Sequence, residues 1–266
     1  MTIIINGVQV GRGLSLKTGQ TTQYNSELDD GYYQKGLAKA YTIYTTGQYS
    51  GTTNVDLIHL TATDIAFVAA TKKITQVAAG LAMFKTGQTI VITGSASNNG
   101  VKTIATGNVA AEIVTTEALV DEGAGATVSI AKREAMSNNC VFDQVTGLMW
   151  SRYVPAVMGT AGDGTMPWTG QLYDIFQYCA AANIASLGGY TDWRIPNVAD
   201  LLALLDFEKT TLQPDATAFP SGIGMSWSST TKKSLTTRAF ATYNNDSYPL
   251  LEDAKTVAYN CLLVRG

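Results

Sequence analysis

Hydrophobic and polar positions change their rhythm twice along the chain. Over residues 1–60, short β-type runs at 40–45 and 55–60 alternate with turn clusters such as Asp29-Asp30-Gly31 and Ser50-Gly51. The opening MTIIINGVQVGRG carries a β-branched apolar run and reads as a strand. No long amphipathic helix occurs there. A segment with so little core of its own is expected to pack against neighbouring copies or another protein.

Over residues 61–132, alternation at 89–93 and 127–130 predicts half-buried strands. Asn98-Asn99-Gly100 supplies the positive-φ residues of a tight hairpin, and Gly123-Ala124-Gly125 is read as the turn of a second hairpin. These features predict a small sandwich- or barrel-like β-domain acting as a spacer. Over residues 133–266 the period changes. Leu172, Ile175, Phe176 and Cys179 recur at helical spacing, as do Val198, Leu201, Leu202 and Leu205. Asn197 is placed to cap the second helix, with Asp200 adding charge in its first turn. Strand-like runs at 226–229, 239–243 and 261–264 complete an α+β domain. The expected architecture is multi-domain: mainly β through the first half, α+β at the C-terminal end.

Composition narrows the function. Only 15% of residues are charged and the net charge is −3, so no basic stripe exists to neutralise phosphates and nucleic acid is not an expected partner. No run approaches the roughly 20 apolar residues of a membrane helix, and the N-terminus lacks the basic region of a secretory signal. Cys140, Cys179 and Cys261 lie far apart with no CxxC spacing, which speaks against a thiolate zinc site. The single histidine, His59, sits in the apolar run VDLIHLTA and reads as structural; one histidine leaves no room for multi-histidine metal sites. Asp121-Glu122 reads as a solvated turn rather than a calcium site. No cofactor or metal is expected.

Two stretches resemble known families. In the middle segment, Gly87-Gln88-Thr89-Ile90, Gly94-Ser95-Ala96-Ser97-Asn98-Asn99-Gly100 and Glu122-Gly123-Ala124-Gly125-Ala126 are similar to a module of phage structural proteins. In the last segment the anchors begin with Asp143-Gln144-Val145-Thr146-Gly147-Leu148-Met149-Trp150, Cys179 and Gly188-Gly189. They continue with Asp192-Trp193-Arg194-Ile195-Pro196, Asp200-Leu201-Leu202, Trp227-Ser228-Ser229-Thr230 and Val264-Arg265-Gly266. In that order they resemble the Lcl C-terminal-type family, with Ile195 for Leu and Asp200 for Glu as departures. The resemblance implies a C-type-lectin-like fold related to formylglycine-generating enzymes.

Within that frame Trp150, Trp193 and Trp227 are expected to be structural, as are Asp192 and Arg194, which would tie loops together by charge-assisted hydrogen bonds. Trp193 would bury its ring and needs a partner for its indole N–H. Cys179 and Cys261 occupy positions where lectin-like domains carry a helix-to-strand disulfide; in a reducing compartment both would be small buried hydrophobes. Enzymes of the related branch use paired cysteines with copper, but binding without chemistry is the expected function. Gln213-Pro214-Asp215 has the lettering of a calcium-lectin motif, without the Trp-Asn-Asp that would accompany it.

Recognition is expected near the C-terminus. Tyr243, Asn244, Asn245, Asp246, Ser247 and Tyr248, with Tyr259, combine aromatic area at low entropy cost with adaptable hydrogen-bonding groups. The same alphabet and place resemble the variable proteins of diversity-generating retroelements. The expectation is a phage virion protein, a tail-fibre or tail-tip adhesin assembled as a homotrimer. Its N-terminal region would hold other virion proteins, and its C-terminal domain would bind a host cell-surface protein or glycan. The alternative is a structural tail or capsid-decoration protein.

Overall fold

The computed structural model describes residues 3–5, 8–10, 38–155, 164–169, 173–207, 209, 214–243 and 249–266. The architecture is mainly β, with several sheets and two α-helices among the described residues. At the N-terminus β1 (Ile3–Ile5) pairs antiparallel with β2 (Val8–Val10).

The largest sheet contains seven strands. They are β4 (Thr52–Ala62), β5 (Ile65–Val68), β6 (Lys73–Gln76), β7 (Thr89–Thr93), β8 (Gly100–Thr106), β9 (Glu112–Thr115) and β10 (Val128–Ser137). Every pairing is antiparallel, in the order β4-β10-β7-β8-β9-β6-β5. All seven strands send side chains into one core, including Leu60, Phe67, Ile74, Ile90, Ile104, Ile113 and Ile130, so the sheet curls around its own apolar face.

The turn at 123–125 is not a hairpin. β9 lies beside β6 and β8, while β10 lies beside β4 and β7, so the chain crosses between them. Turn residues specify a bend without naming the next neighbour. At 94–99 a hairpin does join β7 to β8, but its positive-φ positions are Gly94 and Gly100, not the asparagines. Asn99 instead holds the loop through its side chain, accepting from Ser95 N at 2.9 Å and donating to Ser95 O at 2.6 Å. Glu122 is more than a solvated turn residue. Its carboxylate accepts from Ser95 Oγ (2.6 Å), Ala96 N (2.8 Å), Ser97 N (3.2 Å) and Asn98 Nδ2 (3.0 Å). Those bonds, the Ser95 hydroxyl first, hold the carboxyl down at about 2.

The second half is built on a four-stranded antiparallel sheet. Its order is β18 (Val264–Arg265), β12 (Met149–Ser151), β11 (Cys140–Asp143) and β3 (Tyr41–Tyr44). The fourth strand comes from far upstream, pairing Tyr41 with Asp143 and Tyr44 with Cys140. A three-stranded antiparallel sheet follows, β14 (Ser226–Thr231), β15 (Arg238–Thr242) and β16 (Leu250–Ala254), together with a short pair, β13 (Met166–Pro167) and β17 (Ala258–Tyr259). Of the expected strand at 261–264 only its end pairs; Cys261, Leu262 and Leu263 are buried just ahead of β18.

Helix α1 (Ile175–Ile184) starts at a capping box of Asp174 and Gln177, and α2 (Val198–Leu204) at one of Asn197 and Asp200. The buried face of α1 is Ile175, Tyr178, Cys179 and Ala182, an i, i+3, i+4, i+7 stripe. Phe176, expected on that face, is turned out to 40% exposure, and Leu172 lies outside the described residues.

Strands β4 and β10 serve both halves. Leu60, Val128 and Ile130 enter the core of the seven-stranded sheet, whereas Val55, Leu57 and Met136 pack with α1 and Trp227. The pairing is one-to-one except at a bulge: Leu60 faces Ile130 and Ile58 faces Ala131, leaving His59 as the extra residue. His59 is buried and stacks on Tyr173 with centroids 5.0 Å apart. Its Nδ1 lies 2.6 Å from Leu57 O. The junctions at 60/61 and 132/133 thus fall inside two paired strands. The β-domain is an excursion from a ribbon that both cores share.

Candidate functional site

The Asp192-Trp193-Arg194 stretch is held from three directions. The Asn183 side chain, projecting from α1, imitates a strand: its Oδ1 accepts from Trp193 N (2.8 Å) and its Nδ2 donates to Trp193 O (2.9 Å). Arg194 exchanges backbone hydrogen bonds with Val264 (2.8 and 3.0 Å). The Trp193 ring is buried and its indole N–H donates to Leu187 O at 2.8 Å. The Arg194 guanidinium meets Asp200 at 2.7 Å, and the same Asp200 oxygen accepts from Asn197 N at the start of α2. Asp192 forms a two-point pair with Arg265 (2.7 and 3.0 Å), which lowers its carboxyl pKa. The Arg265 guanidinium also lies 3.7 Å from the Tyr190 ring centre, and the Tyr190 and Tyr49 hydroxyls are 2.5 Å apart. The corner therefore joins helix, last strand and upstream segment, with the Asp192, Trp193 and Arg194 side chains each bonded to a partner within the fold.

Residues 139–265 match the family model of the Lcl C-terminal domain. The comparisons with curated proteins and with solved structures each found no match. Strand β3 and the first half of β4 precede the matched residues, yet they complete the sheet and the core that those residues build.

Of the domain's other tryptophans, Trp227 is buried, donates to Val257 O at 3.2 Å and packs on Tyr259 with ring centres 4.8 Å apart. Trp150 is buried edge-on to Phe219, and its indole N–H has no partner among the described residues. Cys140, Cys179 and Cys261 are all buried and unpaired, so no Cys179–Cys261 disulfide is present. The Cys179 thiol donates to Trp193 O at 3.2 Å. Burial pushes Cys179 up to about 11 and Cys261 well above its ordinary value. A thiol so placed stays protonated at neutral pH, the opposite of an activated nucleophile. Among the described residues no group of three or more His, Cys, Asp or Glu side chains is placed to hold a metal. Asp215 of the calcium-lectin lettering instead caps a turn, accepting from Thr217 N and Ala218 N at 2.8 Å each.

Of the expected recognition residues, Asn244, Asn245, Asp246, Ser247 and Tyr248 lie outside the described residues. They connect β15 to β16, which pair from Thr242↔Leu250 to Arg238↔Ala254. Tyr243 N–H donates to Pro249 O at 3.1 Å, closing the base of that connection. Tyr259 is half-buried against Trp227 and its hydroxyl donates to Asp253 Oδ2 at 2.7 Å. Burial, reinforced by Asp253, pushes that phenol up to about 12.

Three further residues join this region. Trp168 donates from its indole N–H to Ser228 O at 2.7 Å and carries the Lys255 ammonium 3.7 Å from its ring centre. Phe176 meets the same ring edge-on at 4.7 Å. Beyond Phe176 runs an open groove of about 670 Å³, bordered by Asn183, Arg194, Asn197 and Ser229. Asp253 and Lys255 do not stand out in the sequence; Asp253 lies in β16 and Lys255 in the turn that follows it, a placement that no local spacing signals. This arrangement holds two aromatic rings whose polar tips are fixed by partners within the fold.

Proposed function

We propose that the chain is a phage virion protein whose Lcl C-terminal domain has a C-type-lectin-like fold and binds a host cell-surface protein or glycan. Residues 61–132 act as the spacer, and the N-terminal region attaches to other virion proteins in a symmetric assembly. The observation that carries the reading is the frame around 244–248. The base of that connection is closed by Tyr243 and Pro249, and Tyr259–Asp253 and Trp168–Lys255 stand in the same domain as pre-positioned aromatic and polar contacts. The reading also rests on the family-level resemblance to phage modules and adhesins.

The test compares host-cell binding by the full chain with that of Tyr243→Ala/Tyr248→Ala, both checked for fold by circular dichroism. Saturable binding that the double variant loses is the expected result. A well-folded wild type that binds no host cell, but binds an assembled particle through the same face, makes the protein a structural tail or decoration component. The resemblance to variable proteins of retroelements has its own test. A template repeat and a reverse transcriptase gene beside the coding region are expected, and their absence removes it.

A further inference from the structure

The two ends of the seven-stranded sheet are finished differently. At one end Glu122 exchanges two backbone hydrogen bonds with Phe67 of β5, at 2.9 and 3.1 Å, and closes that edge. At the other end β4 runs for eleven residues, TTNVDLIHLTA, with no strand on its outer side among the described residues. Edge strands are usually guarded by lysine, proline or an inward charge, because their open N–H and C=O groups recruit another strand. β4 has neither lysine nor proline. Its one acid, Asp56, is neutralised by Arg133 in a two-point pair at 2.6 Å each. The bulge at His59 leaves Thr52–Ile58 in regular register with β10.

Apolar surface collects along the same edge. Ile58 is 46% exposed and Ile184, at the end of α1, is 86% exposed. Between them lies a groove of about 300 Å³, apolar at Leu57, Ile58, Ala180, Ala181 and Ile184 and polar at Asp56, Thr61 and Gln177. An isoleucine left that exposed forgoes much of the stabilisation that burial gives an apolar side chain.

We propose that this edge joins two copies of the chain, β4 against β4 of the copy, antiparallel about a two-fold axis. An antiparallel pair of identical strands is self-complementary by symmetry and needs no other partner. Charge permits the approach, since the one carboxylate on the strand is already paired. Size permits it as well. Eleven residues reach about 37 Å, and with the adjoining helix the strip is about 20 Å wide. That gives on the order of 700 Å² per copy, close to the roughly 800 Å² of a stable interface. Main-chain hydrogen bonds would supply affinity, while Ile58 and Ile184 of each copy would be covered.

The test uses the full chain, measuring its mass by sedimentation from about 1 to 100 μM and amide hydrogen exchange over residues 52–58. Two-copy mass is expected, with alternate amides of that run losing protection on dilution. Ile58→Lys, at an exposed position, should give one-copy mass with unchanged circular dichroism and weaken pairing about 100-fold or more. Single-copy mass across the range overturns the proposal. So does three-copy mass, or a dimer that Ile58→Lys leaves intact with residues 52–58 unprotected, since those outcomes place self-association or partner docking elsewhere. Exchange in the wild type decides the matter even where the variant misfolds.

Discussion

Asp192 and Arg265, seventy-three positions apart, meet through two charge-assisted hydrogen bonds, and the arginine that makes them also lies over the Tyr190 ring. The last strand is thus fastened to the corner that precedes α2. Because the Asp192 side chain is 57% exposed, water screens the pair and its worth is about 1 kcal/mol at most. Asp192→Asn should lower stability to urea by that amount at pH 7. The folded carboxyl titrates below its ordinary value of 3.8, so this contribution is full above that pH and fades as pH falls through the folded value. Wild type and variant should converge once the pH lies below the folded value.

The buried tryptophans separate two effects. Trp193 donates to Leu187 O, whereas the Trp150 indole N–H is unpartnered among the described residues. Replacing either with Phe removes similar ring area. Trp193→Phe also loses a hydrogen bond, while Trp150→Phe removes an orphaned donor. Equilibrium unfolding should show Trp193→Phe costing about 1–2 kcal/mol more than Trp150→Phe.

His59 ties stability to pH. Burial, then the charge of Lys132, pushes its imidazole down to about 3 from an ordinary 6.5. The unfolded chain therefore takes up a proton that the folded chain refuses. Stability from this residue is complete above pH 6.5 and falls as pH drops towards 3, by about 1.4 kcal/mol per unit over that window. His59→Phe, which keeps a ring against Tyr173, should flatten the fall between pH 6.5 and 4 in thermal melts, relative to wild type.

The shared ribbon predicts which pieces fold. Joining Leu60 to Ile130, register partners in β4 and β10, through an Asn-Gly turn should leave a folded Lcl C-terminal domain with its near-ultraviolet circular dichroism intact. A fragment of residues 139–266 lacks β3, Val55 and Leu57 and should remain without cooperative unfolding. A cooperative melt by that fragment would mean that the upstream strands are dispensable to the core they enter.

Local structure was legible in the sequence wherever local chemistry decides it. Strand 89–93 has the bounds that its alternation predicts, and Asn197 with Asp200 starts α2 through paired caps. What was hidden is non-local. Nothing in Tyr41–Tyr44 says that its partner is Cys140–Asp143, because backbone pairing carries little residue identity. Gly123–Gly125 announces a turn but not the crossing that it serves. At the candidate site, the resemblance pointed to Asp192, Trp193 and Arg194, but the partner Arg265 was legible only as part of a terminal motif. Asp253 and Lys255 gain meaning only once β13, β16 and β17 are brought together.

The bulge at His59 works as a frameshift within one strand. Ahead of it the odd positions Val55 and Leu57 face inward; after it the even position Leu60 does, while β10 keeps even positions inward throughout. Deleting His59 would restore plain alternation, with Val55, Leu57 and Leu60 still facing inward opposite the even positions of β10. Faces are fixed by cross-strand pairing rather than by counting along one strand. Length variation in this strand is therefore absorbed at position 59, where a residue can be lost without turning an inward side chain out.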